Sequence, residues 1–261
     1  MASARLSTMK PRAVLFDVGS TLWSSPPEDE GALAFCYGRG RQALLRSFAE
    51  VPAIEVLIET VEGLFAEWEE RWRQDRAQVL QAPTTEFVGQ ALAGIDLWPP
   101  AADLADFTAA VLETSVYTAK VEPAEPGMAE ALAALHDRGL RIGCVSNAFL
   151  TGDLLKRILD ERQLGAYCEV TVSSCDLGYR KPHPLIYERA LQALRVRPEE
   201  AVFVGDRLDA DIEGPAALGM RTVLTHQYRQ EDAAAARVRP DYVIRHLGEL
   251  VAVMDALLRA P

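Results

Sequence analysis

The chain of 261 residues has no apolar stretch long enough to span a bilayer, which excludes a transmembrane helix. It has no surplus of basic residues either: 27 Lys and Arg stand against 38 Asp and Glu, a net charge of -11. Such a surface repels phosphate backbones and anionic lipid, so neither nucleic acid nor a membrane surface is an expected partner. A small anionic substrate stays open, because a local site can be positive on an acidic molecule. Cysteine is scarce, and Cys36, Cys144, Cys168 and Cys175 follow neither disulfide nor metal spacing; reduced, buried thiols are expected. Histidine is confined to His136, His183, His226 and His246, so no earlier segment can act through an imidazole. Met1 to Lys10 carries no apolar segment of the secretory kind, and a cytoplasmic location is expected. No pattern fixes an oligomeric state.

What is present, 49% hydrophobic and 25% charged residues, is the composition of one large folded domain or two smaller ones. The run Ala13-Val14-Leu15-Phe16 predicts a strand buried on both faces of a parallel sheet. Asp17 would then stand at its carboxyl end, where open α/β sheets bind ligands. After Leu22 the pattern turns helical for about a hundred residues. Ile54, Leu57, Ile58, Val61, Leu64, Phe65, Trp68 and Trp72 recur at three- and four-residue steps, and a second helix carries Leu104, Phe107, Val111 and Leu112 after Pro99-Pro100. At that spacing the tryptophans are expected inside a small bundle.

From Val121 strands and helices alternate. Pro123 and Pro126-Gly127 mark a linker, and helices are predicted at Met128 to His136, Leu154 to Arg162, Pro184 to Leu194, Asp209 to Leu218 and Leu247 to Leu258. Strands are predicted at Arg141 to Val145, Val170 to Val172, Ala201 to Val204, Arg221 to Leu224 and Tyr242 to Ile244. The fold class is therefore α/β, a doubly wound parallel sheet interrupted after its first strand by an all-helical insert.

Three predicted strands end in polar residues: Asp17, Ser146-Asn147 and Gly205-Asp206. Lys181-Pro182 adds a cation and Asp211 a further carboxylate. Asp17, Asp206 and Asp211 together would repel one another without a counter-ion, and an all-oxygen donor set suits magnesium. Any one of them alone reads as a loop-capping aspartate.

The ordered set resembles the four motifs of the haloacid dehalogenase superfamily: Asp17-Val18-Gly19-Ser20-Thr21, Ser146-Asn147, Lys181-Pro182 and Gly205-Asp206 through Asp211. The resemblance implies a Rossmann-like core of residues 1–22 and 121–261, with a helical cap at 23–120. It implies Asp17 as a nucleophile forming a covalent aspartyl intermediate. Thr21 and Ser146 would bond the transferring group, Asn147 would be a substrate contact, and Lys181 would neutralise charge. Asp17, Asp206 and the Gly19 carbonyl would hold Mg2+, with Asp211 binding directly or through water. The implied activity is a magnesium-dependent phosphatase acting on a small phosphorylated metabolite.

One position departs from that pattern. The phosphatases of the family carry a second aspartate two residues after the nucleophile, as acid and base; here it is Gly19. Such a group is worth about 10² to 10⁴-fold in rate, and a glycine cannot move a proton. A 2-haloacid dehalogenase needs no leaving-group proton and no metal, and Arg39 and Arg41 could meet its substrate's carboxylate; their other reading is a solvated helix start. A low-turnover phosphometabolite-binding protein is a further alternative. The phosphonoacetaldehyde hydrolases also lack the aspartate but need a cap lysine, and residues 23–119 contain none. Near the motifs in sequence, a borrowed acid could be His183, Ser20, Glu28, Asp29 or Glu30; the ordinary role of these carboxylates is a solvated charge run. Arg207 is expected to point outward or to be ion-paired.

Overall fold

β1 (Ala13–Phe16) is buried along its whole length, with Val14 and Phe16 in the apolar cluster on one side of the sheet and Ala13 and Leu15 in that on the other. Alternate residues of a strand point to opposite faces, so this run needs helices on both. In the computed structural model, residues 9–24, 29–121, 125, 127–235 and 237–259 are described. Met1 to Thr8, Glu28, and Pro123 and Pro126 of the expected linker lie outside the described residues.

Among the described residues five helices follow β1: α1 (Glu30–Leu44), α2 (Ile54–Gln74), α3 (Thr84–Ala93), α4 (Ala101–Leu112) and α5 (Thr114–Val121). They bury an apolar cluster of their own, including Tyr37 and Leu44 of α1, Leu57 and Val61 of α2, Val88 and Leu92 of α3, and Phe107 and Val111 of α4. Gly40 lets α1 approach α4, since a Cβ there would sit 2.8 Å from the Phe107 ring.

The alternating part then runs α6 (Met128–Asp137), β2 (Arg141–Ser146), α7 (Gly152–Glu161), β3 (Val170–Ser173), α8 (Ser174–Leu177) and α9 (Pro184–Leu194). It continues with β4 (Ala201–Gly205), α10 (Gly214–Ala217), β5 (Arg221–Thr225), β6 (Tyr242–Ile244) and α11 (Gly248–Arg259). All strand pairs are parallel, in the order β3-β2-β1-β4-β5-β6. This is the Rossmann order, in which the connections reverse direction beside β1 and open a crevice at the strands' carboxyl ends. α6, α7 and α11 cover the Val14 face, and α9 covers the Leu15 face.

Two expectations need correction. The segment predicted as one helix from Asp209 to Leu218 is instead a π-helical turn, Leu208–Glu213, followed by α10. The wider turn accompanies Asp211, whose Oδ2 accepts from the backbone amides of Asp206 (3.2 Å) and Arg207 (3.0 Å). Gly205 makes room for it, because a Cβ there would lie 2.4 Å from the Asp211 side chain. The tryptophan stripe, expected inside the bundle, lies at its junction with the sheet domain: Trp72 packs on Phe149, from the loop after β2, as well as on Phe87 of α3.

That junction is closed by hydrogen bonds. Leu80, between α2 and α3, forms an antiparallel bridge with Tyr179. The Gln81 amide donates to the Gly178 carbonyl (3.0 Å), and the Arg180 amide to the Val79 carbonyl (2.7 Å). The Gln81 side chain donates to the Ala148 carbonyl (2.8 Å) and accepts from the Ser174 hydroxyl (2.7 Å). Among the described residues no helix is long and apolar enough to cross a membrane.

Candidate active site

The carboxyl ends of β1 and β4 lie side by side in register, Phe16 opposite Val204, so the residues that follow, Asp17 and Asp206, emerge at one edge. The π-helical turn returns Asp211 beneath them, and one oxygen from each of Asp17, Asp206 and Asp211 lies within 4.8 Å of the others. All three are buried. The Lys181 ammonium enters from the loop before α9 and donates to Asp17 Oδ1 (2.5 Å) and Asp211 Oδ1 (2.7 Å). Asn147, after β2, holds that loop by both ends of its amide: it accepts from the Lys181 backbone N–H (2.7 Å) and donates to the Lys181 carbonyl (3.1 Å).

Electrostatics here are those of a cluster one cation short. Burial, reinforced by Asp17 and Asp211, pushes the Asp206 carboxyl up to about 8. Burial, only partly opposed by Lys181, pushes Asp211 up to about 6. Burial works against the Lys181 ammonium too, but Asp17 and Asp211 outweigh it and hold the lysine above its ordinary value. Like charges in a dry site favour protonation unless a further cation arrives. The all-carboxylate donor set, buried and converging, fits a hard divalent metal.

Above this cluster is a pocket of about 140 Å³ lined by Asp17, Gly19, Ser20, Ser146, Asn147, Lys181 and Asp206. Asp211 lies below it, fully buried. Thr21 is also fully buried, and its hydroxyl stands 3.3 Å from both Asp17 Oδ2 and Asp206 Oδ1, tying the carboxylates together rather than facing a substrate.

Arg39 and Arg41 are not among the lining residues. The Arg41 guanidinium is spent on the Val51 and Pro52 carbonyls, at 2.8 Å each. Arg39 lies over the Phe35 ring and lines a separate recess between α1 and α4. His183 caps α9 by accepting from the Leu185 amide, and Asp29 caps α1 by accepting from the Ala32 amide. Glu30 is exposed in the first turn of α1. Arg207 is ion-paired with Asp209 (3.1 Å), as expected, yet it also lines the pocket.

Sequence reasoning missed three lining residues: Glu69 of α2, Arg180, and Arg229, whose guanidinium stands 3.3 Å from Asp206 Oδ2. Arg180 is 5% exposed; it donates to Gln81 Oε1 (3.0 Å), lies 3.7 Å over the Trp72 ring and reaches Glu69 at 3.4 Å. Its burial lowers its pKa to about 10. Its place beside Lys181 in sequence was a signal; Glu69 had none, being one of many carboxylates on the polar side of α2.

Residues 11–219 match the haloacid dehalogenase-like hydrolase family. A ribulose-1,5-bisphosphate 5-phosphatase of Halopiger xanaduensis is 30% identical over 251 residues, 91% of this chain and 97% of the relative. A glyceraldehyde 3-phosphate phosphatase of Pyrococcus furiosus is 34% identical, but over only 50% of this chain and 54% of its own. Among solved structures, a 2-haloacid dehalogenase of Pseudomonas syringae shares the fold with a TM-score of 0.63 at 22% identity, over 94% of this chain and 99% of the other. With the motif residues converging at the carboxyl edge of a 3-2-1-4-5-6 sheet and the family match spanning most of the sequence, the chain belongs to the haloacid dehalogenase-like hydrolases.

Proposed function

We propose that the protein is a magnesium-dependent phosphatase of a small phosphorylated metabolite, working through an aspartyl phosphate on Asp17. The observation that carries this reading is the buried trio Asp17, Asp206 and Asp211 with only Lys181 bridging two of its members. A halide displacement from carbon has no use for so concentrated a set of metal-type ligands. The relatives named as phosphatases support the same choice.

In this reading residues 23–120 are a cap over a core of residues 1–22 and 121–261, and the cap excludes water from the pocket. Asp17 attacks phosphorus. Lys181 offsets charge on the nucleophile and on the phosphoryl oxygens, and Ser146 bonds one of those oxygens. Thr21 keeps Asp17 aimed by holding its second oxygen, and Asn147 fixes the loop from which Lys181 reaches in. Asp17, Asp206 and the Gly19 carbonyl would hold Mg2+ with Asp211 behind them; when bound, the metal supplies charge stabilisation to the transferring phosphoryl group.

The test is phosphate release, with and without magnesium, from a panel of sugar phosphates, glycerol phosphate and 4-nitrophenyl phosphate. Activity should require the metal and vanish in Asp17→Asn, while the variant keeps its fold by circular dichroism. No release from any substrate would sink the reading. Metal-independent halide release from 2-chloropropionate would replace it with the dehalogenase one.

A further inference from the structure

The proposed reaction leaves a chemical gap at Gly19. Cleaving an alkyl phosphate leaves an alkoxide that needs a proton, and hydrolysing the aspartyl phosphate needs a base to take one from water. In an in-line displacement both the leaving oxygen and the later water stand on the side of phosphorus away from Asp17. The proton-transfer group must therefore reach the pocket from above.

The pocket limits the choice. Asp17 is the nucleophile, and Asp206 belongs to the proposed metal site. Lys181 is engaged by two carboxylates. Arg180, Arg207 and Arg229 are engaged with Glu69, Asp209 and Asp206, and a serine hydroxyl is far too weak an acid. The histidine near the motifs is occupied in capping α9. Among the described residues that line the pocket one carboxylate remains: Glu69, which comes from α2 and is not part of the metal cluster.

Its setting suits the task. Arg180, itself 5% exposed and fixed by Gln81 and the Trp72 ring, stands 3.4 Å from both Glu69 oxygens and so orients the carboxyl at the pocket wall. The Glu69 side chain is 40% exposed, which leaves a path to solvent for exchanging its proton. By contrast Glu70, the next residue, pairs with Arg73 and lies outside the pocket lining.

We propose that Glu69 is the catalytic acid and base of this enzyme, performing from the cap the proton transfer that Gly19 cannot. In the first half-reaction the bond from Asp17 oxygen to phosphorus forms, the bond from phosphorus to the leaving oxygen breaks, and that oxygen takes the Glu69 proton. In the second, water oxygen bonds to phosphorus, the bond to Asp17 breaks, and the water proton goes to Glu69. The site thus regains its starting state with one water consumed.

This inference rests on the phosphatase reading, and the experiment separates the two. Wild type, Glu69→Gln and the control Glu70→Gln are compared on glycerol phosphate and on 4-nitrophenyl phosphate, whose leaving group hardly needs a proton. Glu69→Gln should lose about 10²-fold in kcat on glycerol phosphate. On 4-nitrophenyl phosphate it should give a burst of nitrophenol stoichiometric with enzyme, and a phosphoryl adduct on Asp17 should be seen by mass spectrometry after acid quench. Glu70→Gln should match wild type on both substrates. An active wild type whose Glu69→Gln variant is unimpaired, or is slowed equally on both substrates without adduct, overturns the role of Glu69 and leaves the phosphatase reading standing. A wild type that releases no phosphate overturns both.

Discussion

Lys181 shows how much of the site rests on one side chain. The residue is 5% exposed, its ammonium is bonded to two buried carboxylates, and no other cation stands between Asp17 and Asp211 among the described residues. Removing one member of a buried pair leaves the other charge uncompensated, at a cost of roughly 3–5 kcal/mol. Lys181→Met is therefore expected to lower the metal-free unfolding free energy by about that much, and magnesium to recover part of it. Urea melts of both proteins, with and without magnesium, measure this; an unchanged midpoint in the metal-free variant would remove Lys181 as the counter-charge. These residues were legible in the sequence because each follows a recognisable strand or sits in an ordered motif. Thr21 was legible as a site residue but not in orientation, since whether its hydroxyl meets a substrate or the carboxylates depends on Asp206, just after β4 and far away in sequence.

At the level of elements, the strands and the amphipathic helices could be read from periodicity, because burial on one or two faces writes itself into the order of apolar residues. What periodicity cannot write is where an insert docks. Glu69 meets Arg180 where the segment between α2 and α3 joins the loop before α9, Arg229 arrives from the loop after β5, and no short-range pattern marks either contact. The joint depends on Gln81, which is 4% exposed and ties the Ala148 carbonyl, the Ser174 hydroxyl and Arg180. Truncating it leaves buried polar groups without partners, each costing about 1–3 kcal/mol. Gln81→Ala should speed hydrogen exchange at the Gln81 and Arg180 amides, expose the connection after α2 to proteolysis, and raise KM. Unchanged exchange at those two amides would show that the joint is held elsewhere.

Across the whole molecule, a net charge of -11 makes any buried carboxylate harder to ionise, and the site concentrates three of them. Asp206, raised to about 8, and Asp211, raised to about 6, bind protons more tightly in the folded chain than in the unfolded one, where a carboxyl titrates near 3.8. Between the unfolded and folded values the native state therefore carries more protons, so these two groups make stability fall as pH rises through that window. A cation bound only by the native state opposes the fall, and its affinity grows as its ligands deprotonate. The metal-free melting temperature is thus expected to decline from about pH 5 to about pH 8, and magnesium to raise it more at the upper end than at the lower. Asp206→Asn should flatten the decline above about pH 6, where the Asp211 contribution is already spent. Calorimetric melts across this range, with magnesium and with a chelator, decide the matter: a magnesium shift that does not change with pH, or a metal-free curve that climbs, would mean that the carboxylates do not form a common cation site.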